Sequence, residues 1–110
     1  MIKQIKIPIF SGSLILIQGE PMDEIRKNHN IEGEPCDAIT WKELDKSGTT
    51  GYMIAFKNCA PPTIAHEADH AVNRIMVDRN IPISYENEEV HAYLVGWVVE
   101  QCHKFLKVEK

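Results

Sequence analysis

No stretch of this sequence is long and apolar enough to cross a bilayer, and its first ten residues, MIKQIKIPIF, alternate where a signal peptide would run apolar. A cytoplasmic location with no membrane partner is therefore expected. Cysteine is scarce: Cys36, Cys59 and Cys102 are odd in number, widely spaced and never arranged as Cys-x-x-Cys, which excludes a disulfide framework or thiolate zinc site and leaves reduced thiols. Basic charge is also short. With a net charge of −4 and a pI near 5.7, the chain gives no reason to expect a nucleic-acid partner. Lysines gather near both ends (Lys3 and Lys6; Lys104, Lys107 and Lys110), too few at either end for a phosphate-binding surface. Repeats, low-complexity tracts and linkers are missing too, so residues 1–110 read as one domain, 44% hydrophobic and able to bury one modest core.

What is present divides into strands followed by helices. In IKIPIF, Ile5, Ile7 and Ile9 fall on one side, with Pro8 suited to a sheet edge or bulge. SGS then offers a turn into LILI at 14–17, which predicts a hairpin. Pro21 can open a short helix to about His29, with Met22 and Ile25 as its apolar face, and IEGEP reads as loop. CDAITWKEL and GYMIAFK read as a second strand pair joined through DKSGTTG. After residue 61, prolines suit a helix start and Thr63 suits the N-cap; Ile64, Ala68, Ala71, Val72 and Ile75 then recur at helical spacing. A second helix is predicted from about Asn87, with Glu88 and Glu89 in its first turn and an all-round apolar stretch from Ala92 to Val99 that predicts deep burial. The pattern is α+β: a small N-terminal antiparallel or mixed sheet followed by two long helices.

The chemistry concentrates in TIAHEADHAVNRI, residues 63–75. With five histidines and eleven glutamates in the chain, accidental His-Glu-x-x-His windows are expected only about 0.02 times. On a helix, His66 and His70 lie one above the other and can offer two imidazole nitrogens to one ion. Glu67, turned about 100° around the axis, falls beside such an ion, where a general base would take a proton from water. A catalytic zinc needs a third protein ligand. Glu89 is the choice, because it lies early on the second helix and shares its face with the small residues Ala92 and Gly96 and with Tyr93; Glu88 or Glu86 would serve in another register, and His91 would then point elsewhere.

HEADH followed by NEEVHAYLVGWVVEQ resembles the zincin superfamily of zinc peptidases, in the gluzincin-like branch whose third ligand is a glutamate on a following helix. Within it, the chain looks most like small phage and prophage proteins carrying TIAHEAxHA-like and ExxAYLxGW-like helices. The resemblance covers residues 63–100. It implies one zinc per chain held by His66, His70 and Glu89, with Glu67 as catalytic base, in a minimal zincin-like fold acting on a peptide or protein substrate. It also implies a sheet edge bordering the cleft, for which GYMIAFK is the natural candidate because it precedes the motif helix. The same resemblance admits a zincin-fold module that holds zinc for structure, or binds a partner protein, without cleaving anything.

Around these residues the expectations are plainer. Tyr85, Tyr93 and His103 are the available oxyanion donors, and Asn73, one turn past His70, could orient substrate or a ligand. Asp69 is read as a solvated acid at the rim or a second-layer acceptor for an imidazole. Tyr93, Trp97 and Phe105 are expected in the core, Trp41, Tyr52 and Phe56 in the sheet, and His29 exposed in a polar stretch.

Overall fold

The computed structural model describes residues 1–29, 31, 38–44, 46–57 and 60–106. It is an α+β structure. Four strands, β1 (Ile2–Lys6), β2 (Ser13–Gln18), β3 (Ala38–Leu44) and β4 (Thr50–Phe56), form one mixed sheet in the order β1-β2-β4-β3. Three helices accompany it: α1 (Met22–Asn28), α2 (Pro61–Asp78) and α3 (Glu88–Leu106), the last preceded by a single 3-10 turn at Tyr85–Asn87. None of the described helices is long and apolar enough to cross a membrane.

Both expected hairpins form: β1 pairs antiparallel with β2, and β3 with β4. They are joined by a parallel seam, β2 against β4, with Leu14 opposite Tyr52 and Leu16 opposite Ile54. GYMIAFK is therefore central and not the edge strand expected for it. Its alternate residues are buried on both faces, Tyr52, Ile54 and Phe56 on one and Ala55 on the other, and β2 and β3 flank it. The edges belong to β1, where only Ile5 is even partly buried, and to β3.

The first strand lies earlier than IKIPIF, ending at Lys6. Pro8 has no N–H to continue the ladder, Phe10 N–H donates to the Pro8 carbonyl at 2.8 Å, and Ile9 takes a positive φ of 73°. The chain turns there, leaving Ile7 buried and Ile9 86% exposed, not on one side with it. Gly12 closes the turn at φ 104°, so close to β4 that a Cβ would meet the Thr50 carbonyl oxygen at 2.9 Å.

α2 and α3 cover one sheet face. Leu14, Leu16, Tyr52, Ile54 and Phe56 from the sheet meet Ile64, Ala68, Ala71, Val72, Ile75 and Met76 of α2, and Leu94, Val98 and Cys102 of α3. Each large aliphatic side chain fully buried there contributes roughly 1.5–3 kcal/mol relative to exposure. Burial pushes the Cys102 thiol up to about 12, which keeps it protonated and inert. Cys36 and Cys59 lie outside the described residues, as does most of the IEGEP loop. The other sheet face carries a smaller cluster: Ile17, Ile39, Trp41 and Ala55 beneath Met22 and Ile25 of α1.

Two helix expectations are corrected. α2 begins at Pro61, with Ala60 and not Thr63 at the N-cap, because proline at the first helical position has its φ preset and its missing N–H is not needed. α3 is not buried all round. One sheet face can cover only the stripe of Leu94, Val98, Cys102 and Phe105, and Ala92, Tyr93 and Gly96 are exposed. Tyr93, at 54% exposure, is outside the core, whereas Phe105 is buried and Trp97 packs partly against the core.

Candidate functional site

The buried stripe of α2 fixes what its other faces present. With Ala68, Ala71, Val72 and Ile75 inward, His66 and His70 stand on the exposed side, four residues apart. Their rings meet edge-on with centroids 4.6 Å apart, and the two Nε2 atoms are 3.1 Å from each other. Two imidazole nitrogens bound to one tetrahedral zinc at the usual bond length stand about 3.3 Å apart. The pair therefore fits as half of a zinc site.

Glu67 turns the other way. It is the one buried charged residue among those described, at 7% exposure. A carboxylate so placed is costly unless hydrogen-bonded, and its partner is Thr40 of β3, whose Oγ1 donates to Oε1 at 2.5 Å. Thr40 Oγ1 also lies 3.4 Å from the Glu67 backbone oxygen. The second carboxylate oxygen, Oε2, lies 3.9 Å from His66 Nε2. One oxygen is thus anchored while the other lies toward His66. Nothing marks Thr40 in the sequence except its parity: with Lys42 it lies on the face of β3 turned to α2, while Ile39 and Trp41 join the cluster under α1.

The remaining expected site residues lie elsewhere. His91 turns toward α2: its Nε2 hydrogen-bonds Asn73 Oδ1 at 3.1 Å and lies 3.1 Å from Asp69 Oδ1, while Asn73 Nδ2 donates to Asp69 Oδ2 at 3.3 Å. Asp69 thus receives an imidazole, but from α3, and Asn73 ties the two helices together. Glu89 sits two residues before His91, about 200° around the helix, and is exposed. Among the described residues no group of three or more His, Cys, Asp or Glu side chains is placed to hold a metal, so the structure brings together His66, His70 and Glu67 and leaves Glu89 outside. Glu86 and Glu88 are exposed as well, as is Tyr85 at 87%. His103 lies near the far end of α3.

His29 is not isolated and exposed as expected. Its Nδ1 contacts Glu43 Oε2, Trp41 Nε1 donates to the same oxygen at 2.9 Å, and the His29 ring lies 5.0 Å from that of Trp41. No family model, no curated protein and no solved structure matches the chain.

Proposed function

We propose that this protein is a zinc-dependent hydrolase of the peptidase type, with the fold of a minimal zincin. One observation carries the reading: two facing imidazole nitrogens 3.1 Å apart beside a buried glutamate that is anchored by one oxygen and has the other 3.9 Å from His66 Nε2. His66 and His70 would hold the ion; Glu89, exposed at the start of α3 and outside this group in the structure, would have to turn toward them to serve as the third ligand. Zinc held there supplies Lewis acidity and lowers the pKa of water. Glu67 takes the proton at Oε2 and returns it to the leaving amine, while Thr40 holds the carboxylate in orientation through Oε1. Among the described residues β3 is an edge strand beside Glu67, and such an edge can hold an extended peptide by strand addition. The substrate in this reading is a peptide or protein of the bacterial or phage-infected cytoplasm.

A second reading has its own observation. The His66 side chain is 67% exposed, and none of Tyr85, Tyr93 and His103 makes a hydrogen bond to the histidine pair. An open site without an assigned oxyanion donor suits a zinc-holding or protein-binding module that does not cleave.

Metal content per chain, measured by plasma mass spectrometry on wild type, His66→Ala and Glu89→Ala, tests both readings. About one zinc per wild-type chain, lost from both folded variants, is expected. A wild type that takes up no zinc defeats the hydrolase and the zinc-holding module, and leaves only protein binding. Retention by Glu89→Ala removes Glu89 from the ligand set. Zinc binding with a large rise in melting temperature, but no cleavage of a fluorogenic peptide library, selects the second reading.

A further inference from the structure

Beyond His70, along α2, a cavity of about 210 Å³ is lined by Lys42, His70, Asn73, Arg74, Val77 and Asp78. Its charges do not cancel. Asp78, four residues after Arg74, would be the natural partner for the guanidinium, but its carboxylate pairs elsewhere: Lys42 Nζ is 2.7 Å from Oδ1 and the Tyr52 hydroxyl donates to Oδ2 at 2.6 Å. Burial acts to raise the Asp78 pKa, yet the hydrogen bonds from Lys42 and Tyr52, with the charges of Lys42 and Arg79, hold it below the ordinary carboxylate range. Asp78 and Lys42 therefore neutralise each other. Asn73 is committed to Asp69 and His91. Half-buried Arg74 is left, among the described residues, with no hydrogen bond or ion pair, a lone cation at a cavity wall in a chain whose net charge is −4.

We infer that this cavity is a substrate subsite for a carboxylate, with Arg74 as its charged contact. The inference rests on the hydrolytic reading and supplies its substrate class: peptides bearing an acidic side chain or a free terminal carboxylate close to the scissile bond. The planar guanidinium matches a carboxylate through two parallel hydrogen bonds. Position follows from β3, which meets α2 at Thr40 with Glu67 and again at Lys42 with Asp78. A peptide extended along that edge, with its reacting carbonyl near Glu67, brings a side chain to the cavity within about two residues.

The test is a position-scanned fluorogenic library carrying Asp, Glu, Gln or Lys, with free-acid and amidated C-termini, given to the zinc-loaded full chain. A preference of about tenfold in kcat/KM for Asp or Glu over Gln at one position is expected, weakening with salt. Preference for the free acid over the amide in otherwise neutral peptides would identify the terminal carboxylate as the group bound. In Arg74→Gln, with its melting temperature as the folding control, the acidic-to-neutral ratio falls to near one. In Arg74→Glu it reverses toward Lys. Cleavage without discrimination, or discrimination that survives Arg74→Gln, overturns the subsite and leaves the hydrolase standing. If nothing is cleaved, the hydrolytic reading fails separately, and binding decides the subsite. Fluorescence anisotropy of labelled Ala-Ala-Glu-Ala-Ala on zinc-loaded Glu67→Gln should then show about tenfold tighter binding than the Gln peptide, lost when Arg74→Gln is added. Equal binding of the two peptides, or none, overturns it.

Discussion

Each face of β3 lies beside a histidine and a glutamate, and the two arrangements use them differently. Toward α2, Thr40 and Lys42 reach Glu67 and Asp78; toward α1, Trp41 and Glu43 reach His29. On the α1 side the histidine and carboxylate satisfy each other, and the indole completes the acceptor. On the α2 side the carboxylate is held by a neutral hydroxyl, and the histidines hydrogen-bond each other, with the second carboxylate oxygen 3.9 Å from His66. A histidine and a glutamate that are mutually paired close off their chemistry, whereas the same groups kept apart by a third partner leave lone pairs for a ligand or a proton.

The largest break in this contrast is Glu67→Gln. Thr40 can still donate to the amide oxygen, so the fold and zinc content should persist while peptide hydrolysis falls by about 10²–10⁴-fold. Equal turnover by wild type and variant would take Glu67 out of the mechanism. Next is Thr40→Val, which strands a buried carboxylate oxygen. A loss of about 1–3 kcal/mol in urea unfolding is expected, restored by Thr40→Ser. If valine costs nothing, the anchoring hydroxyl is not what holds Glu67.

Asp78→Asn sharpens the contrast through pH. The folded Asp78 pKa is depressed from 3.8, so its contribution to stability is fully present above the ordinary carboxylate range and disappears as pH falls through the folded value. The gap in melting temperature between wild type and Asp78→Asn should therefore be widest near neutrality and close below about pH 4; a gap independent of pH would contradict it. The smallest effect belongs to the α1 side of the strand. His29 and Glu43 are partly solvated, at 30% and 41% side-chain exposure, so Glu43→Gln should cost at most about 1 kcal/mol and leave zinc binding untouched. A loss of zinc in that variant would mean that the two faces of β3 are coupled.

Apolar runs bounded by turn residues located both hairpins, and helical spacing located α2 and α3, because these signals are local. The parallel seam was not legible: that β2 lies beside β4 depends on which buried strands find each other, not on any single run. The same limit explains α3. Ala92 to Val99 is uniformly apolar in its letters, but one sheet face and one helix cannot cover a full cylinder, so Ala92, Tyr93 and Gly96 face outward. His66, Glu67 and His70 could be read from their spacing. Thr40 could not, since its partner is 27 residues away, nor could the His29 contact with Glu43, 14 residues away.

The β2–β4 seam has a consequence for how the chain folds. Each hairpin closes over a short connection, but Ser13 meets Gly51 only after 38 intervening steps of chain (51 − 13), so the seam carries most of the loop-closure entropy. The hairpins are expected to form early and dock late. Substitutions at Leu14 or Ile54 should then slow folding only if docking limits the rate, whereas changes at the β3–β4 turn should leave that step unaltered; φ-values measured at both places would give the order of assembly.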